Sequence, residues 1–183
     1  GGSVCGGDVT EMPLERRFTA GATVAGRQLI GLAAPYGHET RIADFREVIA
    51  PGAFTRTLAE NRDILALVDH DPGRVLGRTR SGTLELRETG EGLEYRVSLP
   101  ETTTGNDLRA LAQRGDLGGV SMGFIATRDT WEGELRTLHE VELHEVSIVQ
   151  AHAAYPQTTI TLRSRQAAGL CNDPRFRWLE LFP

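Results

Sequence analysis

The sequence predicts a mainly β fold with helices (α+β), in which a meander of strands curls into a small barrel. Three observations point there. From Ile64 to Leu99, short β-branched and aliphatic runs alternate with tight-turn residues. One stretch, ending at Gly115, carries helical spacing instead. The chain has 183 residues, 39% hydrophobic and 25% charged, which suits a single soluble globular domain with a full core.

In chain order, Gly1 to Pro13 is glycine-rich and polar and reads as a loose tail. A first strand is predicted from about Gln28 to Tyr36, where Leu29, Ile30, Leu32 and Ala33 supply the apolar run. Gly37 to Thr40 reads as a turn, Phe45 to Ile49 as a second strand stopped by Pro51-Gly52, and Ala53 to Glu60 as a short helix. Ile64 to Val68 is a buried-strand run, closed by the turn-forming residues Asp69-His70-Asp71-Pro72-Gly73. Val75 to Thr79, Thr83 to Arg87 and Leu93 to Leu99 follow as strands, with turns at Arg80-Ser81-Gly82 and Thr89-Gly90-Glu91-Gly92. Thr103 or Thr104 is placed to cap the helix that contains Leu108, Leu111 and Ala112. Gly118 to Phe124 is the next strand. A hairpin turn at Trp131-Glu132-Gly133-Glu134 then leads into Leu135 to Val149, where alternation puts Val141, Leu143, Glu145, Ser147 and Val149 on one face. Thr158 to Leu162 is expected to close the domain. The division expected is a flexible tail over 1–15, a folded domain over 16–163 and an appendage over 164–183.

Composition removes several function classes. A net charge of −5 with no basic stripe speaks against a nucleic-acid partner, and no apolar run approaches a membrane span. Cys5 and Cys171 form neither a metal spacing nor a disulfide framework, so a reducing intracellular setting is expected. Gly1 to Gly7 lacks the basic and apolar regions of a secretory signal. No residue signals a metal or organic cofactor. Arg114-Gly115-Asp116 spells an adhesion tripeptide and is read as the turn that ends the helix.

The chemistry centres on Gly118-Gly119-Val120-Ser121-Met122-Gly123-Phe124. Glycines flanking a strand serine let another backbone, such as a substrate strand, come close. Ser121 is therefore a candidate nucleophile, and a nucleophilic serine needs a base and a group to orient that base. Among five histidines, His38, His70, His139, His144 and His152, His70 stands where a buried strand opens into a polar turn. Three other readings compete: a glycine-rich strand end with a merely structural serine; a metal-dependent hydrolase using Asp69, His70 and Asp71 with His144 or Glu145; and a non-catalytic β-barrel binding module in which Ser121 is only structural.

Motif order adds to this. Ile49-Ala50-Pro51-Gly52-Ala53-Phe54, Leu67-Val68-Asp69-His70-Asp71, Leu76-Gly77-Arg78-Thr79, Gly115-Asp116-Leu117, Val120-Ser121-Met122-Gly123-Phe124 and Leu143-His144-Glu145-Val146-Ser147-Ile148-Val149 follow one another along the chain. This set resembles the prohead protease family of tailed bacteriophages, over roughly Phe18 to Arg163. One departure is Ala153, where the family usually has proline before the Ala-Tyr pair. The resemblance implies a serine endopeptidase of capsid maturation, with a small antiparallel β-barrel surrounded by a few helices, similar to the herpesvirus assembly proteases. It also implies that the capsid protein and scaffolding segments are the substrates, that the enzyme processes itself, and that it works inside the assembling procapsid in the host cytoplasm, in an oligomeric state the sequence leaves open. His70 matches the family's catalytic histidine, Ser121 its nucleophile and Glu145 its acidic member. The herpesvirus enzymes use a second histidine, which makes His144 the rival third member. Glu145 is preferred because it holds the acidic position of the phage motif and because a carboxylate better offsets a forming imidazolium.

Overall fold

The computed structural model describes residues 12–20 and 22–151. The strand expected at Thr158 to Leu162, both cysteines, His152, Ala153, the first eleven residues and the expected appendage over 164–183 lie outside them.

Eleven strands and two helices are found among the described residues. Sheet one contains β1 (Glu15–Ala20), β4 (Thr40–Ile42), β5 (Phe45–Ile49), β6 (Leu65–Val68), β7 (Asp71–Arg78), β10 (Gly119–Glu132) and β11 (Leu135–Val149). Sheet two, in spatial order, contains β2 (Thr23–Ala25), β3 (Gln28–Pro35), β9 (Gly92–Ser98) and β8 (Leu84–Glu88). The helices are α1 (Thr55–Ala59) and α2 (Thr103–Arg114). No helix of the described residues is long and apolar enough to cross a membrane.

Mainly β with few helices holds; the closed antiparallel barrel does not. The two sheets carry separate ladders, and β11 pairs in parallel with both β5 and β6. The expected meander splits because β7 pairs with β6 while β8 pairs with β9. At the crossing, Thr83 packs so tightly on Gly77 that a Cβ there would stand 2.9 Å from Thr83 Oγ1 and 3.0 Å from its carbonyl oxygen. The Thr83 hydroxyl accepts from Arg78 N at 3.0 Å, while its carbonyl accepts from Ser98 N at 2.9 Å. The chain thus passes from one sheet to the other instead of continuing a single ladder.

The inner faces of both sheets make one core. Leu29, Leu84, Leu93, Tyr95 and Val97 come from sheet two, and Val120, Met122, Phe124, Leu138, Val146 and Ile148 from sheet one. Phe54, just before α1, and Leu108 of α2 complete it. Thr102, one residue earlier than expected, caps α2 by accepting from Gly105 N at 3.2 Å, because its backbone is still extended. Gly115 ends the helix in the left-handed conformation, φ 75°.

β1 was not legible as a strand, since Glu15-Arg16-Arg17-Phe18 is dominated by charge. Its inward charges are paired. Arg17 donates to Glu47 Oε1 and Oε2 at 2.5 and 2.7 Å and to Glu15 at 2.6 Å. Arg136 donates to Glu15 at 2.7 and 2.9 Å, to Glu47 at 3.2 Å and to Asp129 at 2.6 Å. This buried cluster fastens β1, β5 and the β10–β11 hairpin to one another.

Candidate active site

Ser121 is the third residue of β10, within the part that is paired on both sides. Its register partners are Phe18 on β1 and Ser147 on β11; two residues on, Gly123 faces Arg16 and Glu145. Cross-strand partners share a face. Arg16, Phe18, Ser121, Glu145 and Ser147 therefore stand opposite the core residues Val120, Met122, Val146 and Ile148.

That arrangement depends on a bulge. Phe124 pairs with Leu143, but Gly123 pairs with Glu145, which leaves His144 as the extra residue. Val141 and Leu143 consequently face the core with Val146 and Ile148, while Glu145 and Ser147 face the other way. The uninterrupted alternation expected from Val141 to Val149 is broken at this point. His144 is exposed, with Nε2 3.2 Å from Glu142 Oε1.

His70 arrives from the neighbouring strand. β6 runs parallel to β11, with Leu65 opposite Glu145 and Val68 opposite Ile148. The chain then turns over in two residues, Asp69 and His70, both with positive φ (50° and 62°), and enters β7 at Asp71. Positive φ at both central positions is the I′ type of hairpin turn, which favours Asn or Asp followed by glycine. Histidine in the second position costs about 1–2 kcal/mol of backbone strain, a cost often found at functional sites. Asp69 holds the turn in place. Its N–H donates to Ile148 O at 3.0 Å, and its carboxylate accepts from Gln150 N at 2.9 Å and Gln150 Nε2 at 2.8 Å.

His70 Nδ1 then lies 2.6 Å from Glu145 Oε1. Arg16 Nε reaches the same oxygen at 3.4 Å. Burial pushes the Glu145 carboxyl up, but the hydrogen bond and charge of His70, together with Arg16, outweigh it and hold the group below the ordinary carboxylate range. Gly123 makes room for the contact: a Cβ there would stand 2.6 Å from Glu145 Cγ and 2.7 Å from Oε1. The glycine expected to admit a substrate backbone admits this side chain instead. Both edges of β10 at Ser121 are taken, by β1 and β11.

His70 and Glu145 thus meet on the face that carries Ser121, which is itself buried. His38 is exposed, and His139 Nε2 is 2.9 Å from Thr130 Oγ1 towards the far end of the hairpin. The aspartates beside His70 are engaged elsewhere: Asp69 as above and also with Arg74 at 3.3 Å, and Asp71 Oδ1 with Gly73 N at 2.8 Å. Among the described residues, no group of three His, Cys, Asp or Glu side chains is placed to hold a metal ion. Sequence reasoning missed Arg16 and the holding role of Asp69. The signal for Asp69 was its type, since aspartate tolerates the left-handed region better than most residues.

The family model described as caudovirus prohead serine protease matches residues 14–171. Among solved structures, the chain is similar to the bacteriophage T4 capsid assembly protease, gp21, with a TM-score of 0.53 and 14% identity, covering 76% of this chain and 97% of that one. At that identity the likeness speaks for the fold alone. No curated protein matches.

Proposed function

Because the chain belongs to the caudovirus prohead serine proteases and is a serine-type enzyme of that family, we propose that Ser121 is its nucleophile, His70 its general base and Glu145 the group that orients the base. The observation that carries this reading is the 2.6 Å contact between His70 Nδ1 and Glu145 Oε1 on the sheet face that bears Ser121. With Nδ1 donating to the carboxylate, Nε2 is the nitrogen left to take the Ser121 proton as Oγ attacks a peptide carbonyl. The same nitrogen then delivers that proton to the leaving amine. Glu145 stays ionised, fixes the tautomer and offsets the charge of the imidazolium as it forms.

The substrates are the scaffolding segments of the assembling shell, including the scaffold part of the major capsid protein, and the enzyme also processes itself. The enzyme works at high local concentration inside the procapsid in the host cytoplasm, and the free, dilute chain is sluggish. Incubating the purified chain with scaffold-bearing capsid protein, and mass-mapping the fragments beside a Ser121→Ala control, tests the assignment. Cleavage by the wild type and none by the folded variant is expected. Undiminished cleavage by Ser121→Ala removes the assignment.

A further inference from the structure

We propose that Ser147 is a positioning residue for the nucleophile, its hydroxyl donating a hydrogen bond to Ser121 Oγ. The inference rests on the reading of Ser121 as nucleophile.

Ser147 is the register partner of Ser121 across the β10–β11 ladder and shares its face. Directly opposed residues have Cβ atoms about 5 Å apart. Rotation about the two χ1 bonds therefore brings the Oγ atoms within hydrogen-bond distance, about 2.8 Å. Ser147 is completely buried, and its Oγ has no hydrogen-bond partner. A buried hydroxyl left unpaired is unfavourable, and alanine would fill the same space without that cost. A strand flanked by Val146 and Ile148, with Leu67 opposite, gives no packing reason for a hydroxyl here.

Its place in the ladder supplies a reason. Consecutive outward residues of β11 serve the two halves of the same site: Glu145 holds His70, and Ser147 stands against Ser121. A donor on one lone pair of Ser121 Oγ leaves that oxygen's own proton free to point at His70 Nε2. As the proton departs, the same donor carries part of the negative charge left on Oγ, and hydrogen bonds to a charged partner are the stronger kind.

The test separates positioning from packing, because a positioning role shows in the labelling rate of a variant that remains folded. Ser147→Ala removes one neutral hydrogen bond and its donor together, so the protein should stay folded with at most a small drop in melting temperature. The rate at which a serine-directed phosphonate labels Ser121 should meanwhile fall about tenfold or more, and kcat on a scaffold peptide should fall with it while KM stays put. Ser147→Cys keeps a weak donor and should fall between wild type and Ser147→Ala. Labelling of Ser147→Ala within twofold of wild type overturns the proposal, as does a slow rate accompanied by loss of the folded state at the assay temperature. Failure of the phosphonate to label Ser121 in the wild type removes the nucleophile assignment and this inference with it.

Discussion

Replacing Gly123 by alanine adds one methyl group to the strand that bears Ser121, and it should disable the site without unfolding the protein. The backbone at Gly123 is outside the positive-φ region, so alanine fits it without strain. Alanine in a strand is also favoured over glycine by about 0.5–1 kcal/mol. The difficulty is spatial. The new Cβ would sit 2.6 Å from Glu145 Cγ, 2.7 Å from Oε1 and 3.1 Å from Cδ. Ordinary carbon contacts begin near 3.5 Å, so the carboxylate must withdraw by about 1 Å. The His70–Glu145 contact of 2.6 Å would open to about 3.5 Å, the outer limit of a hydrogen bond.

Misplacing a catalytic group by about 1 Å costs up to about 100-fold in rate, or about 2.7 kcal/mol in the barrier. Gly123→Ala should therefore lower kcat/KM on a scaffold peptide by about 10- to 100-fold and slow phosphonate labelling of Ser121 equally, with an unchanged or higher melting temperature. Because the methyl acts only through Glu145, it should add little in a Glu145→Gln background, where the two effects would be strongly non-additive. Activity of Gly123→Ala within threefold of wild type, or full additivity with Glu145→Gln, would refute the reasoning.

Other expectations are checked in the same assays. Glu145→Gln should cut the cleavage rate by orders of magnitude in a folded protein, whereas His144→Ala, at the exposed bulge residue, should be mild; the reverse order would make this a Ser-His-His enzyme. Removing Arg16 (Arg16→Gln) takes a cation from the carboxylate that holds His70, so the acid limb of the pH–rate profile should move to higher pH. The move should be small, because Arg16 is over a third exposed and screened; a move to lower pH would contradict the arrangement. Glu15 is pushed up by burial and pulled down further by Arg136 and Arg17, so it ends, like Glu145, below the ordinary value of 4.5. A depressed folded value stabilises the native state above the unfolded value and loses that stabilisation as pH falls through the folded one. The melting temperature should thus drop below about pH 4.5, and Glu145→Gln should lose less than wild type between pH 5 and 3; equal losses would mean Glu145 plays no part. Arg136→Met leaves two buried carboxylates, Glu15 and Glu47, to share the single cation Arg17 and should cost about 3–5 kcal/mol in denaturant unfolding; a loss below about 1 kcal/mol would mean Arg136 is not holding β1.

The strands of the core were legible because their apolar runs are local signals. Gln28 to Tyr36, Phe45 to Ile49 and Leu135 to Val149 match observed strands to within a residue. β1 and β4 left no such signal: one is held by ion pairs to residues far along the chain, and the other is three residues long. Closure failed as an expectation for a related reason. Where the chain leaves β7 for the second sheet, Gly77 packs closely on Thr83, a contact that depends on approach distance and not on pattern.

The contact between His70 and Glu145 was the hardest feature to derive from residues alone, and the bulge explains why. Strict alternation puts Leu143, Glu145 and Ser147 on one side, which asks a leucine and a carboxylate to share either the core or the site. One extra residue resolves that conflict. It lets Leu143 join Val146 and Ile148 in the core while Glu145 and Ser147 turn to the face of Ser121. The sequence carries both halves of this pattern, Val141-x-Leu143 and Val146-x-Ile148, out of phase by one position, with His144-Glu145 between them. A phase slip in an apolar alternation is thus a readable mark of a bulge. The same slip places His144 and Glu145 at different distances from the core, one exposed and one buried. Strand alternation alone could not choose between them as partners for His70; the slip offers the physical ground on which Glu145, not His144, meets the imidazole.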